Sequence, residues 1–257
     1  MGRIRRTARG ILRRTGWDVV RVGSHWPGDF SADDVRLCDE VRPYTMTSPE
    51  AIVTLAAAVR HLVETKTPGA FVECGVWKGG SMMAIARTLL GLGHTSAQLY
   101  LFDTFEGMTA PSEHDVSRSG RTAQSLLAED AERDTSLLWA RAPLDAVQAA
   151  LGSVGYPAEN LHFVKGSVEE TLPGSAPEQI ALLRLDTDWY DSTRHELEHL
   201  YPRLVPGGVL IIDDYGWWGG ARKATDEYFA ERRDVPFLVR VDDSGRRMGV
   251  KPPSLPA

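Results

Sequence analysis

The stretch FVECGVWKGGS, residues 71–81, sets the fold because it changes from the pattern of a buried strand to that of a helix. The apolar run Ala70–Cys74 predicts the strand, and residues 81–90 predict the helix. Glycines between them let the backbone turn and approach a ligand, and the start of a helix favours a negative group. The spacing matches neither GxGxxG nor a P-loop, so phosphate binding is not favoured.

Strands and helices alternate around this stretch. Ser48-Pro49-Glu50 has the capping pattern of a helix start, and the apolar stripe after it predicts a helix to about Glu64. Further apolar runs predict buried strands at Gln98–Phe102, Leu161–Lys165, Ile180–Leu185 and Val209–Ile212. The alternation predicts an α/β fold with a doubly wound, mostly parallel sheet.

The remaining segments complete a domain over residues 48–257. Helices are predicted at about 191–203 and 220–233, and a terminal antiparallel hairpin at 237–240 and 249–251, which brings the sheet to seven strands. Residues 104–142 are polar, with weak helical signals at 121–131 and 135–139. We interpret them as a lid insertion over the carboxyl edge of the sheet, with ordinary surface helices as the alternative.

Composition excludes several classes of protein. The chain has 257 residues, a net charge of -6 and a pI of about 5.7, so no overall charge attracts nucleic acid. Two cysteines are too few for a disulfide framework and indicate reduced thiols in the cytoplasm. No apolar run approaches the roughly 18 residues that a membrane span needs.

The N-terminus differs from the rest, with six arginines in its first 14 residues. We assign residues 1–47 to an N-terminal helical arm that forms a cover over the site described below. The basic segment suits an anionic membrane surface or a partner, or a frayed helix that packs in an oligomer. The arm favours a homo-oligomer, and stable membrane insertion is not expected.

Acidic residues follow the fourth and fifth predicted strands. LRLDTDWYDS, residues 183–192, places Asp186, Asp188 and Asp191 after the fourth, and IIDDYG, residues 211–216, places Asp213 and Asp214 after the fifth. If the strands are neighbours, Asp186, Asp213 and Asp214 converge and repel one another unless a cation joins them. Oxygen ligands suit magnesium or calcium. The alternative is that the acids cap helices, and we assign that role to Asp191.

The ends of the first three strands suit a nucleoside. Asp103 follows the second strand, where an acid meets a ribose in this architecture, and Ser167 and Val168 follow the third, where they would border a ring. The alternative for Asp103 is an acid that stabilises a turn.

The motifs ECGVWKGGS, LFDTFEG, LRLDTDWY and PGGVLIIDDYG, in that order, resemble the TylF/MycF (macrocin O-methyltransferase) family over about residues 43–240. Its members are S-adenosylmethionine- and magnesium-dependent enzymes that methylate sugar hydroxyls in bacterial natural products such as antibiotics, on a class I methyltransferase Rossmann-like fold. Residues 1–42 and much of 104–142 match nothing in the family.

The resemblance implies a cofactor site. The residues predicted to form this site lie near the carboxyl ends of the strands or in the N-terminal segment: Thr45, Met46, Glu73, Gly75, Ser81, Asp103, Ser167, Val168 and Asp186. Glu73 and Gly75 would lie by the methionine part and Asp103 by the ribose. Thr45 and Met46 fall where the family closes a segment over the cofactor.

The predicted mechanism is methylation of a sugar hydroxyl. Magnesium held by Asp186, Asp213 and Asp214 would bind two vicinal hydroxyls and lower the pKa of the reacting one. Asp188 would accept the proton, since it projects to the same side as Asp186 if the strand stays extended. The resemblance implies the same role for Asp188. The aromatic residues that could stack on the acceptor are Trp189, Tyr190, Tyr215, Trp217 and Trp218.

Other functions are weighed against this one. Residues 195–199 spell HExxH, but a zinc site needs a cleft and a third ligand, and the histidines are expected to face solvent. Asp186-Thr187-Asp188 is a literal DxD, the motif with which metal-dependent glycosyltransferases hold a nucleotide sugar. That function would leave residues 73–81 and Asp103 unexplained. A non-catalytic nucleoside-binding assembly protein is the third possibility. The acceptor is left open between a nucleotide sugar, a finished glycoside and a polysaccharide.

Overall fold

The computed structural model describes residues 26–253. The chain divides into two compact units, residues 1–36 and 37–257. In the described part of the first unit, Trp26 stacks on Phe30, and Ser31 and Asp34 exchange hydrogen bonds through side chain and backbone. The arginine-rich segment and most of the predicted arm lie outside the described residues.

The elements are as follows. The helices are α1 (Ala32–Val41), α2 (Pro49–Glu64), α3 (Gly80–Gly91), α4 (Ala123–Glu129), α5 (Leu144–Gly152), α6 (Val168–Thr171), α7 (Tyr190–Leu200) and α8 (Gly219–Ala230). The strands are β1 (Ala70–Cys74), β2 (Leu99–Asp103), β3 (Leu161–Lys165), β4 (Ile180–Leu185), β5 (Leu204–Ile212), β6 (Val239–Arg240) and β7 (Arg247–Val250).

One sheet joins the seven strands in the order β3-β2-β1-β4-β5-β7-β6. Strands β1 to β5 run parallel, and β7 pairs antiparallel with both β5 and β6. This confirms the predicted fold class. The chain winds outward in opposite directions from β1 and β4, which leaves a crevice at their carboxyl ends where ligands bind in such folds.

The register of the central strands positions the site. Cys74 pairs with Phe102 on one side and Leu185 on the other, and Leu185 pairs with Ile212. The segments that follow β1, β2, β4 and β5 therefore begin at one level of the sheet edge. The fourth and fifth strands are neighbours, which is the condition that the predicted convergence of their acids required.

The structure differs from the predicted elements in several places, which include the short helix α6 that was not predicted. β5 begins at Leu204, five residues before the predicted start, because a shift in register against β4 and a left-handed Gly207 accommodate the Pro-Gly-Gly sequence. In the insertion, 123–129 is helical, whereas residues 135–139 form turns. Helix α5 was not predicted.

The strands are buried because helices cover them. α2 starts at Pro49 with Ser48 accepting a hydrogen bond from the amide of Ala51, as its capping pattern predicted. A core cluster beside the crevice packs α7 and α8 on the sheet through residues such as Leu197 and Phe229. Within the described part of the chain, no helix is long and apolar enough to cross a membrane.

Candidate active site

A cavity of about 490 Å³ opens at the carboxyl edge of the parallel strands. Almost all of the predicted site residues line it: Thr45, Met46, Gly75, Ser81, Asp103, Ser167, Val168, Asp186, Asp188, Asp213 and Asp214. Glu73 is the exception, since it is buried in β1 beneath the edge. Residues of the insertion, including Met108 and Leu138, complete the wall.

Glycines bring the backbone segments of this site into contact. Gly75 has φ +80°, and a Cβ there would lie 1.9 Å from the carbonyl oxygen of Asp186. A Cβ on Gly80 would lie 2.6 Å from the carbonyl oxygen of Tyr44. Only glycine therefore lets β1 meet the end of β4 and lets residues 44–47 lie against the start of α3.

Asp103 organises the loops around it. Its carboxylate accepts hydrogen bonds from the amides of Val76 (2.7 Å), Trp77 (2.9 Å) and Phe105 (2.7 Å). Burial raises the pKa of Asp103 above its ordinary value in spite of these bonds. The turn-stabilising role that the sequence left as the alternative is thus present, and a contact with ribose stays a prediction.

The far wall of the cavity carries the predicted ring-binding pair. Ser167 precedes the short helix α6, and its hydroxyl makes no capping hydrogen bond. Val168 is buried in the core cluster and also lines the cavity. Both residues line the cavity, and their contact with a ring stays a prediction.

Three carboxylates converge after β4 and β5. One oxygen from each of Asp186, Asp213 and Asp214 lies within 4.8 Å of the others. The strand pairing continues to this point, since the amide of Asp213 donates to the carbonyl of Leu185 at 2.9 Å. Oxygen ligands at this spacing fit a hard cation such as magnesium.

Arg184 is a central residue that the sequence analysis did not assign. It is buried in β4 and donates to Glu73, Asp186 and Asp213. Arg246, in the turn before β7, adds a second cation and donates to Asp213 at 2.8 Å. The available signal was a lone arginine in IALLRL, a strand in which every residue is buried.

The arginines do not balance all the acids. Burial would raise the pKa of Asp213, but Arg184 and Arg246 outweigh it and hold that pKa below its ordinary value. Burial raises the pKa of Asp186 well above the ordinary value against the effect of Arg184, and burial with the Asp188 charge does the same for Asp214. Burial raises the pKa of Glu73 to about 7. A further cation would relieve this excess of negative charge.

Asp188 reaches the cavity by a route other than the predicted one. β4 ends at Leu185, and Asp188 has φ +67°, so the assumption of an extended strand is wrong. The backbone turns because Trp189 donates its amide to the Thr187 carbonyl at 2.8 Å and the Asp188 amide donates to Asp214 at 3.2 Å. Burial, together with the charge of Asp186, raises the pKa of Asp188 to about 7.

The capping role assigned to Asp191 is wrong. Helix α7 begins one residue earlier, at Tyr190, and its N-cap residue, Trp189, makes no capping side-chain bond. The Tyr190 amide instead donates to Asp115 of the insertion at 2.8 Å. Asp115 is fully buried and fills the space above Gly220, where a Cβ would lie 1.8 Å from its carboxylate.

The aromatic residues divide into two groups. Trp189, Trp217 and Trp218 line the cavity, whereas Tyr190 and Tyr215 are bound on the surface to acidic residues of α8. Trp189 and Trp218 are buried edge to face with ring centroids 5.0 Å apart. Trp217 is 40% exposed, so it can contact an acceptor.

The HExxH sequence forms no metal site. The rings of His195 and His199 contact each other edge to face with centroids 4.3 Å apart, while Glu196 is buried on another side of α7. Among residues 26–253, the convergent group of three metal-ligating side chains is the aspartate cluster.

Comparison with known proteins agrees with this geometry. Residues 32–246 match the family model described as Macrocin-O-methyltransferase (TylF). The chain is 35% identical over 206 residues to the 8-demethyl-8-(2,3-dimethoxy-alpha-L-rhamnosyl)-tetracenomycin-C 4'-O-methyltransferase of Streptomyces olivaceus, covering 79% of this chain and 74% of that one. It is 28% identical over 202 residues to the mycinamicin III 3''-O-methyltransferase of Micromonospora griseorubida, covering 79% and 76%. The solved O-methyltransferase NovP superposes with a TM-score of 0.70 at 26% identity, over 82% of this chain and 83% of NovP.

Proposed function

Because this chain belongs to the macrocin O-methyltransferase (TylF) family and is an O-methyltransferase, we propose that it methylates a sugar hydroxyl of a glycosylated natural product, with S-adenosylmethionine as donor and magnesium as metal. The observation that carries the proposal is the convergence of Asp186, Asp213 and Asp214 beside Asp188 in one cavity.

The residues present fit S-adenosylmethionine. Asp103 lies at the end of β2, where it can accept from ribose hydroxyls, and Ser167 and Val168 can flank the adenine. The Oε2 atom of Glu73 is buried and has no hydrogen-bond partner among the described residues, which suits the ammonium group of the methionine part. When bound, the cofactor supplies an electrophilic methyl group on a sulfonium.

The residues also fit magnesium. Asp186, Asp213 and Asp214 would hold it, and their surplus of negative charge is the feature that the ion would offset. When bound, the metal lowers the pKa of a hydroxyl that coordinates it and orients that hydroxyl.

Asp188 is the general base of the proposed reaction. It would accept the proton of the acceptor hydroxyl when that oxygen takes the methyl group, the carbon–sulfur bond breaks and the cofactor leaves as S-adenosylhomocysteine. A carboxylate with a pKa near 7 is a stronger base than an ordinary one and still ionises at neutral pH, which suits this role.

The cavity favours a neutral acceptor with an apolar body. The acidic side chains that line it are Asp103, Glu169, Asp186, Asp188, Asp213 and Asp214. The cation among the described lining residues is Arg184, which three acids already bind. Met46, Leu137 and Trp217 are large apolar side chains that remain exposed on the lining, at 49%, 62% and 40%. With magnesium bound to its three aspartates, Asp103, Glu169 and Asp188 would still make the lining negative. We therefore propose a finished glycoside as acceptor, in preference to a nucleotide sugar.

The alternatives have less support. A glycosyltransferase would use Asp186 and Asp188 but would leave the Gly75 turn and Asp103 unexplained, and the family is one of methyltransferases. A non-catalytic binding protein would have no need of the aspartate cluster.

The test is a turnover assay with mass detection. Purified protein, S-adenosylmethionine and magnesium are incubated with a panel of natural-product glycosides, and we expect one methyl group on a sugar of one of them. Removing the metal with EDTA should stop methylation, and adding magnesium should restore it. Calorimetry should show that S-adenosylhomocysteine binds the protein without the metal. Absence of that binding would overturn the proposal.

Two variants assign the base. Asp188→Asn should lower kcat by about 10²- to 10⁴-fold while the Kd for S-adenosylhomocysteine stays within a few-fold. Asp191→Asn is the matched control, because it is the same change three residues away on an exposed side chain outside the cavity lining. Unchanged turnover in Asp188→Asn would remove Asp188 as the base.

A further inference from the structure

Glu196 is a buried acid that the reaction above does not use. It lies in α7 beside Leu197, and no part of it is exposed. Its Oε1 atom accepts a hydrogen bond from the hydroxyl of Thr187 at 2.9 Å. Its Oε2 atom is buried and has no hydrogen-bond partner among the described residues.

Such a residue is unfavourable for folding. A buried oxygen without a partner loses its bonds to water and gains none in return. Burial raises the pKa of Glu196 well above its ordinary value, and no cation within residues 26–253 forms an ion pair with it. An apolar side chain of the same size would suit this face of α7 better. A buried group that is unfavourable for folding and lies next to the candidate active site is typical of a functional constraint.

The hydrogen bond of Glu196 goes to the residue between two site aspartates. Thr187 separates Asp186 from Asp188, and its carbonyl accepts from the amide of Trp189 at 2.8 Å and the hydroxyl of Ser192 at 3.3 Å. Thr187 is therefore held at its side chain by Glu196 and at its carbonyl by the start of α7.

The next residue has a conformation that needs this support. Asp188 has φ +67°, in the left-handed region that residues other than glycine adopt at a cost. The hydrogen bond from the Asp188 amide to the Asp214 carboxylate, at 3.2 Å, is at the upper end of the usual range and does not by itself define the turn. The hydrogen bonds to the side chain and carbonyl of Thr187 fix the peptide unit immediately before Asp188.

We propose that Glu196 is a positioning residue: through the Thr187 hydroxyl it holds the 186–188 turn in its left-handed conformation and directs the Asp188 carboxylate at the acceptor. The inference rests on the proposed function, because it assigns Glu196 to the geometry of the base in that reaction.

The test is a double-mutant cycle. Thr187→Val removes the donor and Glu196→Met removes the acceptor, and each change nearly conserves volume. Each single variant should lower kcat by about 10- to 100-fold, with KM and the Kd for S-adenosylhomocysteine within about two-fold. The double variant should be no slower than the slower single variant, because both changes break one interaction. Thr187→Ser and Glu196→Gln keep the hydrogen bond between residues 187 and 196, so each should retain most of the parent kcat.

Two further readouts separate positioning from a general loss of structure. The Tm of Glu196→Met should equal or exceed that of the parent protein, since the change removes an unpartnered buried oxygen. In its crystal structure, Asp188 should leave the left-handed region and lose its bond to Asp214.

The structural readout does not depend on turnover. If the parent protein methylates no glycoside, the proposed function fails, yet the conformation of Asp188 in Glu196→Met still decides this inference. A positive φ at Asp188 in that variant, full kcat in it, or losses that multiply in the double variant would each overturn the inference.

Discussion

At the scale of single residues, Arg184 is the buried cation that compensates the acids of the site. One buried guanidinium donates to Glu73 of β1, to Asp186 after its own strand and to Asp213 after β5. A guanidinium suits this position because it is planar, permanently charged and carries several donors in a rigid fork. Without it, these acids would lie close together in a poorly solvated site.

Arg184→Met should therefore destabilise the protein strongly. Removing one partner from a buried ion-pair network leaves uncompensated charge, which costs about 3–5 kcal/mol in the free energy of unfolding. Urea unfolding at pH 7 measures the loss. Lys165→Met is the control, because its ion pair with Glu106 is exposed and should change stability by less than about 1 kcal/mol. Equal free energies of unfolding of the two variants would show that Arg184 does not stabilise the fold by compensating the buried acids.

At the scale of elements, the insertion is built into the catalytic framework through Asp115. This carboxylate accepts from the amide and hydroxyl of Ser112 and from the amide of Tyr190, the first residue of α7. A helix start leaves amides without partners, and Asp115 satisfies one of them from a distant segment. Since α7 follows the Asp188 turn directly, the insertion helps to define the site.

Asp115→Ala should lower the free energy of unfolding by about 1–2 kcal/mol, as the loss of a helix cap does, and should also reduce kcat. Asp191→Ala should change stability by less than about 1 kcal/mol, because its carboxylate caps nothing and only faces the helix dipole. Thermal unfolding of both variants is the measurement. A larger loss for Asp191→Ala would restore the capping role that its position in the sequence suggested.

A second link between elements joins the terminal hairpin to the start of α2. Asp242, in the turn between β6 and β7, accepts from Ser48 at 2.6 Å and from Ser244 and Arg246 at 2.5 Å each. Burial would raise the pKa of Asp242, but these bonds and the Arg246 charge outweigh it and hold the pKa well below its ordinary value. Arg246 contacts Asp213 on its other side, so the link reaches the aspartate cluster.

This link should make stability depend on pH. Because the pKa is lower in the folded state, Asp242 stabilises the fold above its unfolded pKa of about 4, and the contribution is lost as the pH falls below that value. The parent protein should exceed Asp242→Asn by about 1–2 kcal/mol in free energy of unfolding at pH 7. The difference in free energy of unfolding between the parent protein and Asp242→Asn should decrease between pH 4 and pH 3. A gap that stays constant with pH would assign the difference to packing.

At the scale of the whole molecule, the charge of the cavity should select the acceptor. We expect kcat/KM for a glycoside with an apolar aglycone to exceed that for the same sugar on a nucleoside diphosphate by about 100-fold. Like charges near a protein surface repel by several kcal/mol at contact, which accounts for a ratio of this size. Higher ionic strength should narrow the ratio, because salt screens the repulsion. A preference for the nucleotide sugar would change the proposed acceptor and leave the proposed methyl transfer intact.

The sheet and the location of the site were predictable from local patterns. Apolar runs of four to six residues between polar turns identify strands covered on both faces, and parallel strands bring their carboxyl ends to one edge. Asp103, Asp186 and Asp213 follow such runs directly, so their convergence followed from the fold class. The short helices α5 and α6 carry weaker patterns and were missed.

The sequence by itself determined which acids stand at the ends of strands, because the position of a strand depends mainly on patterns within a few neighbouring residues. Only the tertiary structure decided how those acids are held. Arg184 bonds to Glu73 across 111 positions of the chain, and Asp115 caps Tyr190 across 75. Asp188 points into the cavity through a left-handed turn that Thr187 and the start of α7 support. Contacts of this range leave no local periodicity, since each depends on where the complete fold brings two distant segments together.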